Sequence, residues 1–156
     1  MQLGKQKTPY VLFLTKQKLL WLGESLKNVV VMESGDGAIQ DLEFKSVKGF
    51  ENQIHTAYDQ KMLKPWEVII IVSDELFFSQ VITQQTEDEI KAYLTVIPFD
   101  EVISKQIIAE TQKVVVAIGK GLIDPLVEIL HSQGFVITGI FPNLIFGERL
   151  KTEEQF

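Results

Sequence analysis

A chain of 156 residues with 46% hydrophobic and 23% charged residues has the composition of one ordinary globular domain, which excludes a disordered or fibrous chain. A net charge of −6 and a single arginine, Arg149, argue against nucleic acid as a partner. The lack of cysteine excludes disulfides, thiolate catalysis and zinc–thiolate sites, and the longest apolar runs, residues 68–72 and 114–118, fall short of the ~20 residues that cross a bilayer.

The N-terminal part has the pattern of sequential strands. Short runs rich in β-branched and aromatic residues occupy residues 10–14, 19–22 and 29–32. Residues 34–37, Ser-Gly-Asp-Gly, predict a tight turn, because glycine and aspartate tolerate positive φ angles. Residues 38–44 are expected to return as a further strand.

An amphipathic helix is predicted from Lys48. Apolar residues recur there at helical spacing and share one face: Phe50, Ile54, Ala57 and Tyr58. The helix is expected to end near Leu63, because Pro65 disfavours helical geometry in the residue before it.

Residues 68–72, Val-Ile-Ile-Ile-Val, are apolar at every position, which predicts a central strand covered on both faces. Residues 73–75 are expected to turn the chain into a second strand, residues 76–82, antiparallel to the first. Thr86 and Glu89 have the spacing of a capping box, and they predict a helix that ends at Pro98.

The C-terminal part predicts a hairpin, a helix and a last strand. Residues 105–110 and 114–118 are expected to pair, and an apolar stripe predicts a helix over residues 122–131. Pro125 is compatible with that helix if it lies in the first turn, where its missing N–H has no partner anyway. Residues 135–141 are expected to form the last strand.

Together these elements predict an α/β (α+β) fold with mixed β-sheet layers and about three flanking helices. We expect a single domain over residues 1–156 with three parts. They are a first sheet portion and helix at 1–66, a strand-helix-strand-strand portion with its flanks at 67–141, and a flexible tail at 148–156.

The second half of the sequence resembles the N-terminal part of PilM-like and GspL-like proteins, the actin-related assembly factors of type IV pilus and type II secretion systems. Its most specific feature is Pro98-Phe99 followed by the acidic pair Asp100-Glu101. The other matching segments occur in the family's order: residues 67–72, 76–79, 86–96, 114–118 and 133–135.

The resemblance implies half of an actin-like fold that acts as a scaffold for assembly. Its implied partner is the cytoplasmic segment of an inner-membrane assembly protein or a homologous domain, and a homodimer is an open alternative. The implied location is cytoplasmic, at the inner face of the plasma membrane, and residues 1–8 lack the apolar stretch of a signal peptide. Nucleotide binding is not carried over, because residues 20–25, in the place of the family's first phosphate loop, have Leu22 where the family has an acidic residue.

Four residues are candidates for partner binding: Phe77, Phe78, Pro98 and Phe99. Consecutive phenylalanines in a strand point to opposite faces, so one of the first two rings is expected to lie away from the main core. The other two form the segment that the resemblance singles out. A helix or a partner could cover the outward ring.

No catalytic, cofactor-binding or metal-binding residue is predicted. Gly119-Lys120-Gly121 follows a strand and opens a helix, as phosphate loops do, but Leu122 stands where a P-loop has serine or threonine. His55 and His131 lack a second ligand at metal-binding spacing. We therefore expect a non-enzymatic protein-interaction domain, with a small nucleotide- or metabolite-binding enzyme and a roadblock- or longin-like dimerising adaptor as alternatives.

Overall fold

The computed structural model describes residues 8–33, 35, 37–60, 62–83, 86–99, 101–109 and 112–146. The described strands are β1 (Tyr10–Leu14), β2 (Lys18–Leu22), β3 (Val30–Glu33), β4 (Ile39–Gln40), β5 (Glu43–Phe44), β6 (Glu67–Val72), β7 (Phe78–Val81), β8 (Val102–Ala109), β9 (Gln112–Gly119) and β10 (Val136–Pro142). The described α-helices are α1 (Lys48–Asp59), α2 (Glu87–Thr95) and α3 (Lys120–Ser132).

The main sheet has five strands in the order β10-β6-β1-β2-β3. Strands β10, β6 and β1 run parallel, and β1, β2 and β3 form an antiparallel meander. A second sheet has three antiparallel strands in the order β7-β9-β8, inserted in the chain between β6 and α3. This arrangement confirms the predicted mixed sheet layers with flanking helices.

The core lies between one face of the main sheet and two helices. Every second residue of β1, β2 and β6 is buried on this inner face, and the apolar stripes of α1 and α3 pack against it. The predicted helical face of α1 is confirmed for Phe50, Ile54 and Ala57, whereas Tyr58 is exposed. The inner face of the main sheet is therefore fully covered.

The opposite face of the main sheet is also apolar, but no helix among the described residues covers it. We call it the outer face; its large apolar residues are Val11, Phe13, Leu20, Leu22, Val31, Ile69, Ile71 and Phe141, and charged residues lie only at its ends. Strand β6 is central, as predicted, since β1 and β10 flank it. The prediction that both of its faces are covered holds for one face only, because α1 and α3 lie on the same side of the sheet.

Two strand predictions are corrected. The predicted strand at residues 76–82 does not pair with β6: the 3₁₀ turn Asp74–Leu76 buries Leu76 and redirects the chain, so that β7 pairs with β9 in the second sheet. Residues 38–44 form a two-strand hairpin, β4–β5, rather than one strand. Its central residues, Asp41 and Leu42, both have positive φ angles, as a type I′ turn requires.

The helix predictions need smaller corrections. Helix α1 ends at Asp59 instead of Leu63, and Pro125 is the sixth residue of α3 instead of lying in its first turn. The helix continues through Pro125 at the cost of one backbone hydrogen bond. The predicted turn at 34–37 is described only at Gly35 and Gly37, whose φ angles are positive as expected. The predicted tail, 148–156, lies outside the described residues.

Candidate partner-binding groove

An apolar groove lies where the two sheets meet. The hairpin β8–β9 forms one wall, and α3 together with the end of β10 forms the other. The cavity in it has a volume of about 90 Å³. Its lining residues are Ile103, Lys105, Val116, Ile118, Ile123, Ile140 and Pro142.

The register of the hairpin explains why these side chains share one wall. Ile103 pairs with Ile118, and Lys105 pairs with Val116. Paired residues in a sheet point to the same face, and residues two apart along a strand do so as well. Val116 and Ile118 of β9 are buried, whereas Ile103 of β8 is half-buried.

Among the described lining residues, Lys105 is the only one with a charged side chain, and its charge is positive. It is exposed at the mouth of the groove, next to apolar neighbours. Strands β8 and β10, on the two sides of the groove, are both edge strands of their sheets. The groove is therefore suited to an extended peptide with apolar side chains for its floor and a carboxylate for Lys105.

The structure places the four predicted partner-binding residues elsewhere. Phe77 is 7% exposed and belongs to the core, whereas the Phe78 and Phe99 rings pack against each other at a tilt, with centroids 5.6 Å apart. Phe99 also lies against Gly119, and Pro98 beside it is exposed. One ring thus points away from the core, as expected, and the chain after α2 covers it. The partner-binding role of these residues stays a prediction.

The Gly119-Lys120-Gly121 turn faces carboxylates rather than an anion site. A cavity of about 330 Å³ beside it is lined by Glu43, Glu101 and Asp124 as well as Lys120. The Lys120 ammonium lies 3.9 Å from the Glu101 carboxylate, and the Glu43 side chain packs so closely on Gly121 that an added Cβ would lie 2.8 Å from it. Negative charge from Glu43 therefore already occupies the N-terminal turn of α3, where a phosphate would have to bind.

The other candidate chemical groups are dispersed. Within the described part of the chain, no cluster of three or more histidine, aspartate or glutamate side chains is suited to a metal ion. His55 is exposed on α1, and His131 is exposed in the last turn of α3, where a helix favours positive charge. In the segment that resembles a phosphate loop, Leu20 and Leu22 lie in β2, and Gly23 packs against the Tyr10 ring.

The groove residues were not identified from the sequence, although a signal was present. Val116 and Ile118 alternate in the predicted strand 114–118, but Ile103 lies two residues before the predicted partner strand 105–110, which begins at Val102 in the structure. The exact start and pairing of that strand would have placed Ile103 on the same face as Ile118. The opposite wall comes from α3 and β10, and its contact with the hairpin depends on tertiary packing.

No protein-family model and no curated protein matches this chain. Its fold is similar to several solved structures. One is a PilM-PilN type IV pilus biogenesis complex, with a TM-score of 0.58 and 15% identity over 86% of this chain and 47% of the other. Another is the cytoplasmic domain of EpsL, an inner-membrane component of the type II secretion system of Vibrio cholerae, with a TM-score of 0.51 and 15% identity over 86% of this chain and 55% of the other.

A third similar structure is a Bacteroides thetaiotaomicron protein of unknown function with an actin-like ATPase fold. It has a TM-score of 0.55 and 13% identity over 99% of this chain and 60% of the other. The chain therefore spans about half of these proteins. The likeness confirms the predicted fold class, with mixed sheets and helices that correspond to part of the actin-like ATPase fold of this third structure. Among the described residues, no helix is both long and apolar enough to cross a membrane.

Proposed function

We propose that this chain is a non-catalytic interaction domain that holds a short segment of an inner-membrane assembly protein, in a machine of the type IV pilus or type II secretion kind. The apolar groove between two edge strands, with Lys105 at its mouth, carries this proposal. The similarity in fold to pilus and secretion components supports it. The proposed location is the cytoplasm, at the inner face of the plasma membrane.

The groove favours an extended segment over a folded partner. Its cavity of about 90 Å³ has room for one or two apolar side chains, and a folded surface could not enter it. Unpaired backbone groups on an edge strand can bind an added strand, while the pockets beside it select the side chains. The partner proposed here therefore carries an apolar residue next to an acidic one, within the segment that enters the cytoplasm.

The proposal is tested by calorimetry with peptides from the cytoplasmic ends of inner-membrane pilus and secretion proteins. We expect one peptide to bind with a micromolar Kd, and Lys105→Glu to weaken it at least about tenfold, because the substitution sets a carboxylate against the partner's acidic group. Lys113→Glu makes the same charge change at the far end of β9 and is expected to leave the Kd unchanged. Equal Kd values for both variants would contradict the proposed site.

The nucleotide-binding alternative has a separate test. Calorimetry with ATP or GTP and magnesium is expected to show no binding, because three carboxylates line the cavity beside Lys120 and repel a polyphosphate. A micromolar signal that Lys120→Ala abolishes would favour a nucleotide-binding enzyme instead.

A further inference from the structure

The outer face of the main sheet is a continuous apolar surface. One row crosses all five strands in register: Phe141 is paired with Ile71, Ile71 with Phe13, Phe13 with Leu20, and Leu20 with Val31. A second row, from Gly139 through Ile69 and Val11 to Leu22, lies beside it. The exposed fractions are 52% for Val31, 41% for Leu22 and 39% for Phe141.

Such an apolar outer face has the composition of a sheet face that is buried when the protein functions. A sheet with one face in water normally alternates apolar and polar residues, and parallel strands such as β10, β6 and β1 are normally covered on both faces. Here β6 has isoleucine at 69 and 71 on the outer face and is equally apolar on the inner face. The inner face has α1 and α3 as cover, so the outer face requires a cover of similar extent.

The rest of this sequence is unsuited to provide that cover. Residues 1–7 contain two large apolar residues, Met1 and Leu3, and residues 147–156 contain two more, Leu150 and Phe156. Four such side chains among charged neighbours are too few for eight large apolar ones. We therefore expect the occupant to come from outside these 156 residues.

We propose that the outer face binds the outer face of a second copy of this chain, in a two-fold symmetric dimer. The face has no charge at its centre that would select an oppositely charged partner, since Lys18 and Glu33 lie at one end, side by side, and Glu67 lies at the other. A flat apolar surface of this kind is complementary to itself, and every copy of the chain presents it.

The area agrees with a dimer of moderate affinity. Five strands about 4.8 Å apart and about 17 Å long give roughly 400 Å² per copy, and the exposed Val136 at the margin adds to it. The strands of two copies then bury about 800 Å², and the two Val136 side chains bring the total to about 1,000 Å², near the lower limit for a specific interface. The dimer surface is separate from the groove, so this inference does not depend on the proposed function.

Sedimentation equilibrium over protein concentrations from about 5 to about 500 µM tests the dimer, because this range covers the micromolar Kd values that suit a weak, small interface. We expect the unmodified chain to dimerise and Leu22→Glu and Val31→Glu to remain monomeric throughout. Ile108→Glu replaces a 76% exposed residue of the second sheet and is the matched control, which should still dimerise. A monomeric unmodified chain, or a dimer that persists in both outer-face variants, would overturn the proposal.

A milder substitution provides a second test in case the charged variants Leu22→Glu and Val31→Glu misfold. Because the chain has no cysteine, Leu22→Cys and Ile108→Cys each create a single thiol. We expect maleimide to label the thiol at position 22 at least about fivefold more slowly at the highest protein concentration than at the lowest, since a Kd in the low micromolar range leaves few free monomers there. The thiol at 108 should react equally fast at both. Equal rates at position 22 would also overturn the proposal.

Discussion

Trp21 joins three parts of the inner core. Its ring packs against Tyr10 of β1, with centroids 6.0 Å apart, and against Phe135, the residue before β10, with centroids 5.2 Å apart. Its indole N–H lies 3.3 Å from the sulfur of Met32 on β3, a weak acceptor in an otherwise apolar site. One fully buried side chain thus links the meander to the strand that is added last.

Tyr93 of α2 carries a buried polar group without a hydrogen-bond partner among the described residues. This group is its hydroxyl oxygen, in a cavity lined by Gln80, Ile90 and Val115. Burial raises the pKa of the Tyr93 phenol above its ordinary value of 10.0, because the site disfavours the phenolate. The folded state therefore holds this proton more tightly than the unfolded state does.

We expect Tyr93→Phe to increase the free energy of unfolding by about 1 kcal/mol at pH 8, since it removes an unpaired buried hydroxyl. In the unmodified chain, the stability linked to this proton is fully present below pH 10 and is lost as the pH rises above it. The difference between variant and unmodified chain should therefore grow from pH 8 to pH 10.5. Urea unfolding at both pH values measures it, and a variant less stable at pH 8 would contradict the expectation.

Among the elements, the local patterns in the sequence predicted the helices better than the strand pairings. The capping residue Thr86 is confirmed: its hydroxyl accepts a hydrogen bond from the backbone N–H of Glu89 at 3.2 Å. The Glu89 carboxylate accepts one from the N–H of Thr83, so the reciprocal bond of a capping box is displaced by three residues. Helix caps are local, and spacing along the chain is enough to predict them.

The pairing of β7 could not be predicted, because it depends on contacts far along the chain. Phe77 and Phe78 have strand character, as expected, but the 3₁₀ turn before them decides which sheet the strand joins. The groove shares this limitation, since Ile103 meets Ile140 only after the second sheet has docked on α3 and β10. The fold class was thus predictable, whereas the position of the candidate site was not.

We expect Thr86→Ala to destabilise α2 by about 1 kcal/mol, because it removes the N-cap acceptor. Helix α2 has no fully buried side chain, so the loss should appear as local opening. Hydrogen exchange of α2 amides should become about fivefold faster, while α1 and α3 are unaffected. Thr86→Ser keeps the acceptor and is the control; faster exchange in all three helices would contradict a local effect.

In the whole molecule, the two sheets share one core. Val114, Val116 and Ile118 of the second sheet belong to the same buried cluster as Leu122 and Leu126 of α3. The groove is therefore a surface indentation in one cooperative body. Partner binding in the groove is expected to stabilise both sheets together.

We expect Val116→Ala to lower the free energy of unfolding by about 2 kcal/mol, because it removes buried methyl groups that face α3 and β10. Tryptophan fluorescence mainly follows the inner core through Trp21, and far-UV circular dichroism follows both sheets. The two urea transitions should coincide and shift together in the variant. Two separate transitions would show that the second sheet unfolds by itself.

The parallel pairing of β6 with β10 also has a consequence for synthesis. The Thr138 hydroxyl donates to the carbonyl of Val68, 70 positions earlier in the chain, and the strand that contains Thr138 completes the main sheet. During translation at ~5–20 residues per second, the edge of β6 therefore stays unpaired for seconds after β1 has docked on its other side. A ribosome that stalls before the codon for Val136 would leave one edge of Glu67–Val72 without a paired strand. An unpaired edge is prone to aggregation, so a nascent-chain chaperone is most needed in that interval.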